Sequence, residues 1–331
     1  VDNEVINMRR EASVKKVGVD MKKRSKKLAA MIVAMFMVFT VLFTSTSASA
    51  DPLTLHYVAL GDSVAYGMSA YIVPPPSPVY FGYADMLEAA LDDFGPVDYV
   101  NAGAPGIDST GLFLRVKYCP INRPLVKDRD LVTINIGGNN LLKPFIAGIF
   151  AAYGVTVVGE VDNTEIAQLV AIIDAMDPDE AQAIYMNLSD PNGLLVAALK
   201  AGIQTFKKDF PRIIGAVRQL APESRIIVNN LYNPLKPTDP LYAFVDKSIG
   251  QINKTIINLT EDGRYTIADV YNAFKYYDGD IDPVMFDPVA ALGYASVGNM
   301  PGFAMSIDPH PNTVGHMIIA ELQLEILSSP F

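Results

Sequence analysis

Four short stretches of the sequence put a reactive or polar side chain beside glycine or proline in a way that could build a site. The first is Gly61-Asp62-Ser63-Val64-Ala65-Tyr66-Gly67, which follows an apolar run from Leu55 to Leu60. A serine at the carboxyl end of a central parallel strand is exposed at the crevice, and its own N–H can face a bound carbonyl oxygen. Gly61 lets the chain turn there. Asn101-Ala102-Gly103-Ala104-Pro105-Gly106 closes a second run, and Ile136-Gly137-Gly138-Asn139-Asn140 closes a third. There a glycine N–H could approach a ligand closely, and an amide side chain could stand at the same edge. The fourth, Asp308-Pro309-His310-Pro311-Asn312, pairs a carboxylate with a histidine, the side chain that titrates near neutral pH. Each stretch alone also fits an ordinary turn. Their order along the chain, a hydroxyl, two sets of donors and then an acid beside a base, is what points to acyl transfer.

Such a site needs elements that bring the four stretches to one edge. Short β-branched runs alternate with longer amphipathic ones, the pattern of a parallel sheet wrapped by helices. Strands are expected at 55–60, 97–101, 130–136, 225–230 and 265–269. Residues 81–93 place Tyr83, Met86, Leu87, Ala90 and Leu91 on one helical face. Residues 191–220 read as a long helix broken near Pro211, 240–260 as another, and 312–327 as a final helix entered through Pro311-Asn312. The stretch 141–190 is long for a minimal fold of this kind. It holds an apolar segment from Pro144 to Tyr153 and a helix-like run from Thr164 to Met176, so it could form a lid or wall of the substrate site. Pro74-Pro75-Pro76-Ser77-Pro78 reads as a stiff loop near the crevice.

The chain has 331 residues, half of them hydrophobic, and no tryptophan, enough to bury a full core as one domain over 51–331. Residues 1–50 are read apart from it. Residues 1–20 form a leader upstream of a plausible start at Met21, and 21–50 have the make-up of a secretory signal peptide: a basic stretch to Lys27, an apolar run from Leu28 to Phe43, then small residues with Ala48-x-Ala50 before Asp51. Sixteen apolar residues are short of the roughly 20 needed to span a bilayer. The expected product is therefore secreted, with no stable membrane insertion. With nine basic and four acidic residues in 1–50, the remainder carries 17 basic against 32 acidic residues, a net charge of −15. That surface repels phosphate backbones, which argues against nucleic acid as a partner. Cys119 is the only cysteine, so no intrachain disulfide can form.

Taken together, the four stretches resemble the SGNH/GDSL hydrolase family in its block order over nearly the whole of 51–331. The resemblance implies a flavodoxin-like three-layer α/β/α fold with a five-stranded parallel sheet. It also implies Ser63 as nucleophile, His310 as general base, and an oxyanion hole of the Ser63 N–H, Gly106 and Asn139. Gly106 is chosen over Gly103 because the family's glycine lies five residues after the asparagine closing strand two. Of the other histidines, His56 starts strand one, at the wrong end for the crevice, and His316 falls inside the last helix. The expected activity is a secreted serine esterase or lipase that needs no cofactor. Its partners would be a small-molecule or lipid ester, or an acetylated polysaccharide if it is an O-acetyl esterase. An inactive binding protein on the same fold is the alternative of another class, disfavoured because Ser63, Asn139 and His310 are all present.

Two departures stand out. The family usually separates its acid and histidine by two residues, whereas only Pro309 lies between Asp308 and His310. Asp308 is the expected acid, with Asp280, Asp282 and Asp287 as alternatives. The asparagine of the third block is commonly followed by aspartate, and here Asn140 stands instead.

Overall fold

In a computed structural model of the chain, residues 54–73, 79–157, 163–260, 263–288, 290–291 and 308–329 are described. The expected leader and signal peptide and the proline run 74–78 lie outside them. Every candidate residue belongs to one compact unit, Pro52–Ile326.

Five strands, β1 Leu55–Gly61, β4 Val97–Gly103, β5 Leu131–Asn135, β6 Arg225–Asn229 and β7 Thr266–Ala268, form one all-parallel sheet in the order β4-β1-β5-β6-β7. Counted within this sheet the order is 2-1-3-4-5, so it reverses between β1 and β5, and the rule for open α/β sheets puts a ligand crevice at their carboxyl ends. A two-stranded hairpin, β2 Tyr71–Val73 and β3 Val79–Tyr80, stands apart.

Helices flank the sheet: α1 Ser63–Tyr66, α2 Tyr83–Asp92, α3 Ser109–Tyr118, α4 Asn122–Val126, α5 Gly138–Ala152, α6 Asn163–Asp174, α7 Pro178–Met186, α8 Leu194–Leu220, α9 Tyr242–Asn258, α10 Val270–Lys275 and α11 Thr313–Ser328. Alternate strand residues face opposite sides. Val58, Leu60, Val132, Ile134, Ile226 and Val228 join a core with Leu112 of α3, Phe206 and Ile213 of α8, and Ile252 of α9. The other face is more polar: Tyr57 and Thr133 share a hydroxyl hydrogen bond of 2.9 Å, and Gln323 of α11 donates to Asn229 at 2.7 Å. Among the described residues no helix is long and apolar enough to cross a membrane.

Two expectations need correction. α8 runs unbroken from Leu194 to Leu220 with Pro211 inside it. Proline removes one backbone bond and crowds the preceding turn. Here that cost is offset by a continuous apolar stripe, Leu195, Leu199, Ile203, Phe206, Phe210, Ile213 and Val217, all buried. Second, β4 continues through Gly103, so the turn that follows it begins at Ala104. Between β5 and α8 the chain forms α5, α6 and α7, and Phe150, Tyr153, Leu169, Ile173 and Ala181 there make a small core of their own.

Candidate active site

The crevice starts where β1 and β5 part. Gly61 has φ +142, and a Cβ there would stand 2.0 Å from the Asn135 carbonyl oxygen, so only glycine fits. Asp62 caps α1, its carboxylate accepting from the Val64 N–H at 3.1 Å and from Asn135 Nδ2 at 3.0 Å. Burial pushes the Asp62 carboxyl up to about 6, against the opposing pull of those two donors and of the nearby His310. Asn135 Oδ1 in turn accepts from Asn229 Nδ2 at 3.2 Å, so a buried polar ladder runs from Asp62 across the sheet to Gln323. The sequence reading missed this ladder; its one local signal was an aspartate in the N-cap position ahead of Ser63.

Ser63 opens α1 and is nearly buried, 7% exposed. Its Oγ lies 2.8 Å from His310 Nε2, although the two residues are 247 apart in sequence. His310 Nδ1 lies 2.6 Å from Asp308 Oδ1, and the same oxygen accepts the His310 backbone N–H at 3.0 Å. A carboxylate next to Nδ1 makes that nitrogen the N–H donor and leaves Nε2 to accept the Ser63 proton. The bond to the backbone N–H two residues on is an Asx turn, which lets the short Asp308-Pro309-His310 spacing fold the acid back onto the ring. The loop is held from outside. Tyr232 donates to the Pro309 carbonyl at 2.8 Å, and Asn312 Nδ2 donates to the Asp282 carbonyl at 2.6 Å. Burial pushes the Asp308 carboxyl up, but the hydrogen bond and charge of His310 and a donor from Ser69 outweigh it and hold it below its ordinary value.

Asp308 is the carboxylate that meets the His310 ring. Asp287 pairs with Lys236 at 3.1 Å and accepts the Ala290 N–H at 3.0 Å. Asp282 meets the histidine loop through its backbone. His56 pairs with Asp130 at 3.1 Å at the amino end of β1. His316 is fully buried in α11: its Nδ1 accepts the Tyr83 N–H at 3.0 Å and its Nε2 donates to the Met68 carbonyl at 3.0 Å. Burial brings its imidazole down to about 4, so it stays neutral.

Asn139 is buried beside Ser63 in the same cavity, with Nδ2 donating one proton to the Ile107 carbonyl at 2.9 Å. An amide nitrogen carries two, so a second is left to give. The Gly103 N–H donates to Asn101 Oδ1 at 2.9 Å, and a Cβ there would meet the Tyr66 nitrogen at 2.4 Å. Gly106 has φ +78, a left-handed backbone that favours glycine, and sits in the turn after β4, outside the residues lining the cavity. Asn140 accepts the Ser109 N–H at 3.1 Å and donates to Ser109 Oγ at 2.9 Å and to the Gly202 carbonyl at 3.4 Å, tying α5 to α3 and α8. An aspartate could not make the last of these bonds.

The cavity opens to solvent and is lined by Ser63, Asn139 and His310 together with Leu141, Leu142 and Phe145 of α5, Leu199 of α8, Ile249 of α9, and Phe286. The apolar segment of α5 thus divides: Phe145 lines the cavity, whereas Phe150 packs into the small core with α6 and α7.

Residues 59–318 match the sequence profile of the GDSL-like Lipase/Acylhydrolase family. The fold is similar to a lipase, Lip_vut3, from a goat rumen metagenome, with a TM-score of 0.50 and 18% identity over 82% of this chain and 96% of that one. It is likewise similar to an extracellular lipase from Streptomyces rimosus, with a TM-score of 0.50 and 17% identity over 83% of this chain and 100% of that one. An acetylxylan esterase from Geobacillus stearothermophilus aligns at a TM-score of 0.46 and 15% identity, over 86% and 98% of the two chains. No curated protein matches the chain closely enough in sequence to count as a relative.

Proposed function

Since the chain belongs to the GDSL-like lipase/acylhydrolase family, a family of ester hydrolases, we propose that it is itself an active serine esterase acting on acyl esters through an acyl-enzyme. The observation that carries this reading is the hydrogen-bonded series Ser63 Oγ, His310 Nε2, His310 Nδ1 and Asp308 Oδ1, at 2.8 and 2.6 Å, opening into an apolar cavity. Ser63 attacks the ester carbonyl as its proton passes to His310 Nε2, and Asp308 stabilises the resulting imidazolium and fixes the ring. The Ser63 N–H and the second proton of Asn139 Nδ2 receive the oxyanion, and the resemblance to the family, not the cavity lining, adds the Gly106 N–H. His310 returns the proton to the departing alcohol oxygen. Water, deprotonated by the same nitrogen, then releases the acid and restores Ser63. The scheme needs no cofactor.

The substrate we assign is an ester with an extended acyl chain, lipid or lipid-like. The apolar side chains Leu142, Phe145, Leu199 and Ile249 that wall the cavity suit an acyl chain better than the polar sugars of an acetylated polysaccharide. The reading also includes export. The basic, apolar and small-residue order of 21–50 supports it, and N-terminal sequencing of the product from a secretion host should find Asp51 first. A retained apolar run would refute it.

The central test is covalent labelling. The parent chain should react with a fluorophosphonate and turn over p-nitrophenyl esters, while Ser63→Ala should do neither above background. A labelled Ser63→Ala variant would move the nucleophile elsewhere.

A further inference from the structure

Ser69 lies in the turn after α1 with φ +68, a left-handed backbone that non-glycine residues seldom adopt. Its Oγ donates to Asp308 Oδ2 at 2.6 Å across 239 residues of sequence. The turn that carries it is fixed on several sides. The Gly67 and Met68 N–H groups donate to the Ser63 carbonyl at 3.1 and 3.0 Å, the Phe81 N–H donates to the Ala70 carbonyl at 2.8 Å, and buried His316 donates to the Met68 carbonyl at 3.0 Å. A glycine would take up this backbone without strain. What the serine adds is a hydroxyl aimed at the acid.

The acid is the member of the site that departs from the usual spacing. Asp308 reaches His310 by folding back through an Asx turn, and its Oδ1 serves both the ring and the backbone N–H of His310. Such a short loop leaves the rotation of the carboxylate to be set by whatever holds Oδ2. We propose that Ser69 is a positioning residue for acyl transfer: its hydroxyl grips Asp308 Oδ2 and so keeps Oδ1 aimed at the His310 Nδ1–H. This rests on the reading of Ser63, His310 and Asp308 as the reacting set. Its consequence is a polar series of four side chains, Ser63, His310, Asp308 and Ser69, that begins and ends on one α1 turn, so the turn presenting the nucleophile also aligns the acid. The hydrogen bond also favours the ionised carboxylate, the form that stabilises an imidazolium.

The test is a double-mutant cycle read by steady-state kinetics, by the rate of fluorophosphonate labelling and by melting temperature. Ser69→Gly removes the hydroxyl while relieving the backbone, and these opposing effects should keep its Tm within a few degrees of the parent's. Its kcat should fall by about tenfold, with KM for a short ester within about twofold. Ser69→Ala should lose the same kcat. In an Asp308→Asn background, itself slowed by about a thousandfold, Ser69→Gly should cost nothing more, because both changes act on one interaction. A Ser69→Gly variant with the parent's kcat, beside a crippled Asp308→Asn, would overturn this proposal alone and leave the reacting set standing. Losses that multiply in full would also overturn it, since they would mark a general disturbance of the turn. An Asp308→Asn variant with undiminished kcat would overturn the assignment of the acid and this proposal with it.

Discussion

The crevice has two unlike walls. One, from α5, α8 and α9, is made of Leu142, Phe145, Leu199 and Ile249. The other, from the start of α1 and the loop before α11, presents Ser63 and His310, and a hydrogen-bonded set of Asp308, Ser69 and the buried His316 supports these two elements. The first acts through area. Its contacts have no direction, and swaps of similar volume should cost little. The second acts through bonds of 2.6 to 3.0 Å, each of which leaves a buried partner unsatisfied when broken. In the proposed scheme the apolar wall decides which ester stays, and the polar wall decides how fast it reacts.

Substitutions that respect this division sharpen it, and those that cross it would break it. Of the substitutions that probe this division Asn139→Ala has the largest expected effect, since in the proposed scheme its amide serves the reacting carbonyl whatever the chain length. Asn139→Ala should slow hydrolysis by about a hundredfold, equally for acetate and long-chain p-nitrophenyl esters, while Ser63 still labels. A loss confined to long chains would move Asn139 from the polar set to the apolar one. Phe145→Ser should do the reverse. A buried apolar side chain withdrawn from an acyl chain forfeits about 1.5–3 kcal/mol at most, so kcat/KM for long-chain esters should drop by about tenfold or more and that for acetate hardly at all. A uniform loss would mean that Phe145 supports the fold and not the substrate.

His316 should leave turnover at neutral pH nearly untouched and act on stability instead. Its folded pKa of about 4 lies below the unfolded value of 6.5, so the unfolded chain binds the extra proton between those values. Stability from this residue is therefore complete above pH 6.5 and is lost as pH falls toward 4, by about 3 kcal/mol in all. Asp62 opposes it. Its carboxyl is raised from 3.8 to about 6, so the folded chain holds the proton more tightly and gains stability as pH falls across that window. In His316→Gln only the second trend survives, and its Tm relative to the parent should climb by several degrees between pH 7 and pH 4.5. A constant difference would show that His316 is already charged or already exposed.

The sheet was legible because its strands are short β-branched runs with turns behind them, and β1, β5 and β6 lie within a residue or so of the expected bounds. So was the apposition of the Ser63, Asn139 and His310 stretches, since a parallel sheet brings the carboxyl ends of neighbouring strands to one edge. α8 was misread because local proline chemistry was weighed without the apolar stripe that holds the helix on both sides of Pro211. The sequence reading had no place for α3, whose Gly111 and lone Thr110 weaken its helical pattern, while Asp108 caps it at 2.9 Å from the Gly111 N–H. Ser69 left no mark at all. Its type suits any turn, and its partner lies 239 residues away. The shortened acid-to-histidine spacing was visible as a departure, but the Asx turn that accommodates it is a property of the folded loop.

The distance between Ser63 and His310 along the chain bears on when activity can begin. Ser63 leaves the ribosome 247 residues ahead of His310, its proposed base. A growing chain has no such base until the loop before α11 emerges, and Asn229 has no Gln323 until α11 docks. During synthesis the lone serine is an ordinary alcohol among many. In the proposed scheme the same separation acts as a check on completeness: a copy truncated before the loop that carries His310, however well its first strands fold, holds Ser63 without the base that would take its proton.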